Sequence, residues 1–167
     1  LSGVNRDSYR TIPDIVYDEK IESLADEPVD HPWFQDSSTP VIVAAGRLTR
    51  QKDFPILLRA FANLRGNIRA KLVIFGEGEA RETLDRMIVE LGIQVDVEMP
   101  GFVTNLYKFI RAADLFVLSS LWEGVNHSLV LAQALGTPIV STDCPAGQRD
   151  VLLDGAAGRL IPVGNAD

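Results

Sequence analysis

The sequence predicts an α/β protein with an open, doubly wound sheet of six mainly parallel strands. From residue 41 onward, short apolar runs alternate with longer amphipathic segments, which is the pattern of βα units on a parallel sheet. Hydrophobic residues make up 46% of the 167-residue chain and charged residues 23%, proportions typical of a globular domain. A chain of this length is expected to form one domain whose core buries roughly 70% of the unfolded surface.

Six short apolar runs are the predicted strands. They cover residues 41–45, 71–75, 95–99, 115–119, 138–141 and 159–163. The predicted helices are the amphipathic segments at 54–65, 80–92, 105–113, 127–135 and 146–154. In the first helix, Ile56, Ala60 and Phe61 share one face and are expected to pack on the sheet. Ligands of such sheets bind at the carboxyl ends of the strands, so the loops that leave the strands are expected to carry the site.

The first forty residues differ in character from the rest of the chain. They are rich in Asp, Glu, Pro and Ser, with breaks at Pro13, Pro28, Pro32 and Pro40, and only residues 18–27 offer a short helical pattern. Residues 1–40 are therefore interpreted as a linker or extended arm, and residues 41–167 as the domain.

Charge and cysteine content exclude several classes of function. The net charge of −7 is the wrong sign for a broad nucleic-acid surface, so no nucleic-acid partner is expected. No apolar run is long enough to span a bilayer and no stretch is typical of a signal peptide, which predicts a soluble, cytoplasmic protein. Cys144 is the only cysteine, which excludes an intrachain disulfide and a cysteine-based zinc cluster. The sequence supports no pairing of Cys144 with His31 or His127 as a catalytic base.

The loop after the first strand, "GRLTRQKDF", gathers positive charge where a helix begins. Gly46 lets the backbone turn, and Arg47, Arg50 and Lys52 follow it. Arginine, lysine and the N–H groups of a helix amino terminus all suit a pyrophosphate. A solvated basic turn explains the same residues, and this loop taken alone does not separate the two interpretations.

The second and third loops are ambiguous in different ways. "GEGEAR" resembles a dinucleotide fingerprint, but Arg81 replaces its third glycine, and Glu77 and Glu79 would repel phosphates. A tight strand-to-helix turn is therefore the favoured interpretation. In "PGFVTNLYKFI", Phe102 and Val103 could hold a flat base, or Phe102 could plug the top of the core, and spacing does not rank these alternatives.

The fourth loop, "SSLWEGVNHS", places a carboxylate beside a helix start. Glu123 and Gly124 precede a helix that Asn126 or Ser128 can cap, and its first turn offers unpaired N–H groups. An anion and a hydrogen-bonding carboxylate would fit there together. Alternatively, Glu123 merely favours the helix dipole, which is worth roughly 0.3–1 kcal/mol at an exposed position.

Four collinear motifs carry a resemblance to a known family. "GRLTRQKD", "GFVTNLYKFIRAADLFVLSSLWEG", "ALGTPIVSTDCPAG" and "LLDGAAGRLIPVGNAD" resemble the carboxy-terminal half of a GT-B glycosyltransferase of the retaining family numbered four. The resemblance covers residues 41–167 nearly continuously. It implies a Rossmann-like domain that binds the nucleotide-sugar donor, while the acceptor-binding half is the missing partner. The isolated chain is accordingly expected not to transfer sugar.

The resemblance also implies roles for individual residues. Arg47 and Lys52 match a Gly-Arg-x4-Lys pattern, begun by Gly46, that grips the donor diphosphate and stabilises the leaving group without a metal. Val103 matches a position that contacts the base through its backbone, with Lys108 close by. Glu123 matches a carboxylate that binds hydroxyls of the transferred hexose-type sugar, and the amides of Gly124, Val125 and Asn126 would face sugar and phosphate. No cofactor is implied beyond the UDP-, GDP- or ADP-sugar substrate.

One position departs from the family. The second Glu of its Glu-x7-Glu pair binds the nucleotide ribose, and here that position is Leu131. Leu131, Ala134 and Leu135 form an apolar i, i+3, i+4 face, which explains the leucine structurally but does not restore the ribose contact. The alternative function is therefore a degenerate domain that binds a nucleotide or a protein and catalyses nothing. Membrane association of the full-length parent, at the inner face, is left open.

Overall fold

The computed structural model describes residues 18–124, 126–145 and 147–166. They form one six-stranded sheet in the order β3-β2-β1-β4-β5-β6, with every neighbouring pair parallel. The strands are β1 Val41–Ala45, β2 Lys71–Phe75, β3 Val97–Gly101, β4 Leu115–Leu118, β5 Ile139–Thr142 and β6 Arg159–Ile161. The predicted doubly wound α/β fold is confirmed.

Seven α-helices lie among the described residues. They are α1 Glu19–Ala25, α2 Pro32–Gln35, α3 Phe54–Arg65, α4 Arg81–Glu90, α5 Tyr107–Ala112, α6 His127–Ala134 and α7 Gln148–Val151. These helices pack on both faces of the sheet. Because successive strand residues point to opposite faces, the protein has two apolar cores, one on each side of the sheet. In β1, Val43 belongs to the core beneath α5 and α6, and Ala44 belongs to the core beneath α3 and α4.

The bounds of β3 and the buried face of α3 differ from the prediction. β3 lies two residues later than predicted, because the chain turns at Ile93–Asp96 before it enters the sheet and Val95 is exposed. This strand tolerates Pro100 because it is the edge of the sheet, where a missing N–H breaks no ladder. On α3 the buried residues are Phe54, Leu57, Leu58 and Phe61, whereas Ile56 and Ala60 are only half-buried.

Residues 18–40 differ from the predicted extended arm. α1 packs against α5, and Ala25 is buried between them. Asn105 donates a hydrogen bond to the Leu24 carbonyl (2.8 Å), and Arg111 forms an ion pair with Glu22. These contacts use the amphipathic pattern of α1, which the surrounding prolines and acidic residues obscure in the sequence. The boundary at residue 41 stays a prediction, and residues 1–17 lie outside the described part.

The two faces of the sheet are covered unequally by the described residues. α5, α6 and α7 follow strands on one face, whereas α3 and α4 cover β1 to β3 on the other. Next to α3 this leaves an apolar groove of about 410 Å³ whose floor includes Val117, Val140 and Ile161. No helix in the described ranges is long and apolar enough to cross a membrane.

Candidate functional site at the carboxyl edge of the sheet

The loops after β1 and β2 interlock through their backbones. The Gly46 amide donates to the Phe75 carbonyl, and the Leu48 amide donates to the Glu77 carbonyl, each at 2.9 Å. A Cβ atom on Gly76 would lie 1.9 Å from the Gly46 carbonyl oxygen, so only glycine fits there. The glycines of the second loop thus allow close backbone packing, which supports the strand-to-helix turn favoured from sequence.

A buried ion pair joins the loops after β1 and β4. The Lys52 ammonium contacts Glu123 Oε1, and only 12% of the lysine side chain and 5% of the glutamate side chain are exposed. Ser120 Oγ (2.6 Å) and Asn126 Nδ2 (3.0 Å) donate to the same carboxylate oxygen, and Gln51 Nε2 (3.3 Å) donates to Oε2. Glu123 therefore does far more here than favour a helix dipole.

Backbone contacts fix the two loops relative to each other. The Leu121 amide donates to the Gln51 carbonyl (2.8 Å), and Ser119 Oγ donates to the Lys52 carbonyl (2.7 Å). Thr142 Oγ1, from the end of β5, donates to the Ser120 carbonyl (2.6 Å). Since these bonds tie three adjacent loops together, the ion pair is held in a rigid frame.

Asn126 serves both the helix and the ion pair. Its Oδ1 accepts from the Leu129 amide (2.9 Å), which caps α6, while its Nδ2 donates to Glu123. The sequence left the cap open between Asn126 and Ser128, and the structure assigns it to Asn126. Through this cap, the start of α6 and the position of Glu123 depend on one side chain.

Cys144 lies near this cluster without resembling a nucleophile. It is buried, and burial is the largest cause of a raised pKa of its thiol, with the charge of Glu123 also raising the pKa. A hydrogen bond with Thr142 and the charge of Lys52 act in the opposite direction and are weaker. A reactive cysteine needs a lowered pKa, so Cys144 is not suited to nucleophilic chemistry.

Two adjoining cavities open at this edge of the sheet. The smaller, of about 270 Å³, is polar and is lined by Ala45, Gly46, Arg47, Gln51, Lys52, Glu123, Asn126, His127 and Ser128. The larger, of about 550 Å³, is mainly apolar and is lined by Ala45, Gly46, Arg47, Phe75, Gly76, Glu77, Phe102, Val103, Thr104, Leu106, Tyr107, Ser128 and Leu131. They share Ala45 to Arg47 and Ser128, so one elongated molecule can occupy both.

The lining of the larger cavity shows where the side chains of Phe102 and Leu131 lie. Phe102 is 81% exposed, so it does not plug the core, and the loop after β3 keeps an apolar surface at the cavity. Leu131 is only 7% exposed and its side chain forms part of the cavity wall. Leu135 is buried like Leu131, but Ala134 is exposed, so the predicted apolar face of α6 is only partly correct.

Some of the predicted site residues line the two cavities, and others lie away from them. Arg47 and Lys52 line the polar cavity, but Arg50 lines neither cavity and is exposed. Lys108 contacts the Pro28 carbonyl (3.1 Å) and lines a separate concavity, which it shares with Val103. Gly124 is exposed at the end of the loop, and Val125 lies outside the described residues.

Sequence reasoning missed the polar residues that surround Glu123. Gln51 and Ser120 both bind its carboxylate, yet they lie in different loops, and neither residue was assigned a role within its loop from the sequence. Only the pairing of β1 with β4 brings them together. Across the described ranges, no group of three or more His, Cys, Asp or Glu side chains is arranged to hold a metal ion.

Comparison with known proteins gives consistent matches. The model of the family described as "Glycosyl transferases group 1" matches residues 28–167. An uncharacterized glycosyltransferase of Methanocaldococcus jannaschii is 35% identical over 147 residues, which are 86% of this chain and 36% of that protein. A Campylobacter jejuni N-acetylgalactosaminyltransferase that acts on a diphospho-undecaprenol glycan is 35% identical over 74% of this chain and 33% of its own length. The chain thus spans about a third of these relatives.

Solved structures show the same fold. The lipopolysaccharide outer core galactosyltransferase WaaB has a TM-score of 0.71 at 28% identity, over 80% of this chain and 38% of its own. HepE of Anabaena, solved in complex with UDP, has a TM-score of 0.70 at 23% identity, over 77% of this chain and 36% of its own. Each likeness covers just over a third of a larger GT-B structure.

Proposed function

The chain belongs to the group 1 glycosyl transferases, and from this premise we propose that it is the donor-binding half of a retaining enzyme. The proposed reaction transfers a hexose-type sugar from a nucleotide diphosphate to an acceptor, without a metal or a further cofactor. The observation that carries the proposal is the Lys52–Glu123 pair, which lines a polar cavity that continues into an apolar one.

The two cavities match the two chemical halves of such a donor. The polar cavity offers Arg47 and Lys52 as cations for a diphosphate, and a carboxylate that accepts hydrogen bonds from sugar hydroxyls. The apolar cavity offers Val103 and Phe102 as surfaces for a base. Because the cavities share Gly46 and Arg47, the diphosphate would sit at their junction.

Each residue of the polar cavity has a proposed task. Arg47 and Lys52 bind the diphosphate, and their charge stabilises the nucleotide as it leaves. Glu123 binds hydroxyls of the sugar, while the backbone amides of Gly124 and Asn126 are available to the sugar and its phosphate. Lys52 would then exchange part of its contact with Glu123 for a phosphate oxygen, which leaves the carboxylate available to the sugar.

The proposed function also concerns the parent protein. An acceptor-binding half is the expected partner, since the chain spans only about a third of its relatives. The base would contact the backbone of Val103, with Lys108 reorienting from Pro28 if it takes part. A cytoplasmic location fits a donor made in that compartment, and association of the parent with the inner face of the membrane remains compatible with it.

Calorimetric titration with UDP, GDP and ADP tests the proposal, and UDP comes first because HepE was solved with it. We expect one nucleotide to bind saturably, and Lys52→Ala to weaken it at least 10-fold, because a charge-assisted phosphate contact is worth roughly 1.5–3 kcal/mol. Arg50→Ala is the matched control, since Arg50 is a cation of the same turn that lines neither cavity. A folded protein that binds none of the three, or binding that ignores Lys52→Ala, would contradict the proposal.

A second candidate function is a domain that binds a nucleotide or protein without catalysis. Leu131 favours this non-catalytic function, because it lines the apolar cavity at the position where the family has a ribose-binding carboxylate. Leu131→Glu helps to discriminate between the two: tighter nucleotide binding would support a surviving donor site, and no change in a chain whose nucleotide binding also ignores Lys52→Ala would favour the non-catalytic function. Ala134→Glu, on the exposed side of the same helix, controls for the added charge.

A further inference from the structure

We propose that Glu77, at the end of β2, binds the ribose hydroxyls of the nucleotide in place of a carboxylate on α6. The inference rests on the proposed function, because it assumes that a nucleoside diphosphate occupies the two cavities. Glu77 would then determine specificity for the ribose, whereas the sequence pattern indicated only that it lies in a strand-to-helix turn.

The order of strands places Glu77 at the right point along the site. The sheet runs β3-β2-β1-β4, so the loop after β2 lies between the apolar loop after β3 and the basic loop after β1. A nucleotide with its base against Val103 and its diphosphate at Arg47 must span the loop between them. The ribose, which joins the base to the diphosphate, therefore passes in front of Gly76 and Glu77.

The apolar cavity offers few acceptors for ribose hydroxyls, namely the neutral hydroxyls of Thr104, Tyr107 and Ser128 and one carboxylate. Leu131 presents only hydrocarbon, and Phe102 and Val103 do the same from the opposite side. Among the described residues that line this cavity, Glu77 supplies the carboxylate. A carboxylate accepts hydrogen bonds from vicinal hydroxyls, which is the chemistry that a ribose presents.

Local contacts hold the Glu77 side chain at the cavity. Arg81 Nη1 lies 3.3 Å from Glu77 Oε1, and Arg81 Nη2 donates to the Met99 carbonyl at 2.5 Å. A Cβ atom on Gly101 would come within 2.5 Å of the same carboxylate oxygen, so glycine at the end of β3 makes room for it. The carboxylate thus packs against the end of β3 and forms a salt bridge with the first residue of α4.

The charge of Glu77 remains compatible with a nearby diphosphate. Arg81 pairs with it and offsets part of the repulsion that the sequence alone suggests. The side chain is 59% exposed, so a carboxylate with about four acceptor positions keeps several of them for a ligand. The salt bridge therefore orients the carboxylate without consuming its capacity.

The test compares a nucleotide with its analogue that lacks both ribose hydroxyls. We expect the wild-type chain to bind UDP about 10-fold more tightly than 2′,3′-dideoxy-UDP, as a charged acceptor at a partly exposed site implies. Glu77→Ala should reduce this ratio to about 1, whatever it does to the absolute affinity through Arg81. Glu79→Ala should keep the ratio, because Glu79 is an exposed neighbour that lines neither cavity.

The outcomes separate this inference from the proposed function. If UDP binds and Lys52→Ala weakens it, but Glu77→Ala keeps the preference for ribose, the role of Glu77 is wrong and the donor site stands. A wild-type chain that binds UDP and its dideoxy analogue equally well also overturns the role. If a folded chain binds none of the nucleotides, the proposed function fails and the assignment of Glu77 fails with it.

Discussion

At the scale of single residues, the Lys52–Glu123 pair is the least replaceable contact of the site. Both side chains are nearly buried, and Glu123 also accepts from Ser120 and Asn126. Removal of one partner from a buried pair typically costs 3–5 kcal/mol, because the other charge is left without compensation. The hydroxyl and amide donors moderate this cost for Glu123, whereas Lys52 would have to find another anion. A diphosphate is such an anion.

Glu123→Gln should therefore separate stability from ligand binding. We expect it to lower the free energy of unfolding by about 1–3 kcal/mol and to tighten UDP binding about 3- to 10-fold, because the charge of Lys52 is no longer neutralised. Urea denaturation and calorimetry measure the two effects. Glu79→Gln removes the same charge from an exposed position and should change neither. Weaker UDP binding by Glu123→Gln would mean that Lys52 does not bind the diphosphate.

The buried thiol of Cys144 should make the stability of the fold depend on pH in the alkaline range. Burial raises the pKa of the folded thiol above its usual value of 9.0, so the unfolded chain loses the proton first as pH rises. The thiol thus stabilises the fold fully below about pH 9 and loses this contribution as pH rises through the folded pKa. Cys144→Ala should lose less stability than the wild type between pH 7 and pH 10 in urea denaturation. An equal loss in both proteins would contradict the raised pKa.

The sequence predicts the charged residues of the site better than their partners. The resemblance to the family motifs points to Arg47, Lys52 and Glu123, and all three line the polar cavity. The composition of the loop alone did not distinguish Arg50 from Arg47 and Lys52, because only the path of the turn decides which side chain faces the cavity. Ser120 binds Glu123 through a contact that depends on how the loop after β4 folds.

At the scale of elements, the buried strands follow directly from their apolar composition. β1 and β2 have the predicted bounds, since residues buried on both faces form continuous apolar runs. β3 is an edge strand that alternates buried and exposed residues, and its apolar run therefore gives poor bounds. α2 was missed because four residues carry no helical period, and its start depends on His31, whose ring accepts from the Trp33 amide.

The start of α3 contains a strained residue that can be tested. Asp53 adopts a left-handed conformation (φ 46°, ψ 45°) between the 3₁₀ turn Arg50–Lys52 and α3, and burial raises the pKa of its carboxyl. Asp53→Gly should stabilise the fold by about 0.5–1 kcal/mol, because glycine adopts this conformation without steric cost. Asp53→Ala should destabilise it by a similar amount. Chemical denaturation of both variants measures the difference, and equal stability would show that the left-handed turn is absent.

At the scale of the whole molecule, α1 tests whether the segment before residue 41 belongs to the cooperative unit. Ala25→Asp should lower the free energy of unfolding by about 2–4 kcal/mol, because it buries an unpaired charge between α1 and α5. Ser23→Asp, on the exposed side of α1, should have little effect. Thermal and urea denaturation check both. If Ala25→Asp were as harmless as Ser23→Asp, an extended arm would be the better description.

The candidate donor site lies along the carboxyl edge of the sheet, where the loops after β1 and β4 and the start of α6 line the polar cavity. In the proposed function, another part of the parent protein binds the acceptor. Glycosyl transfer needs an acceptor hydroxyl held against the sugar and water kept away from it. These two requirements are not met by a surface that binds only the donor. Binding and transfer should therefore be separable in this chain.

We accordingly expect the 167-residue chain to bind a nucleotide diphosphate and yet to transfer no sugar. The measurement is calorimetric binding of UDP together with an assay for UDP release from UDP-sugars, with and without candidate acceptors. Slow release without an acceptor would be hydrolysis at the exposed site, and Lys52→Ala should suppress it if leaving-group stabilisation by Lys52 is responsible. Acceptor-dependent release that Lys52→Ala abolishes would contradict the expectation and would mean that this edge of the sheet positions both substrates by itself. Binding without such release would locate acceptor recognition in another part of the parent protein.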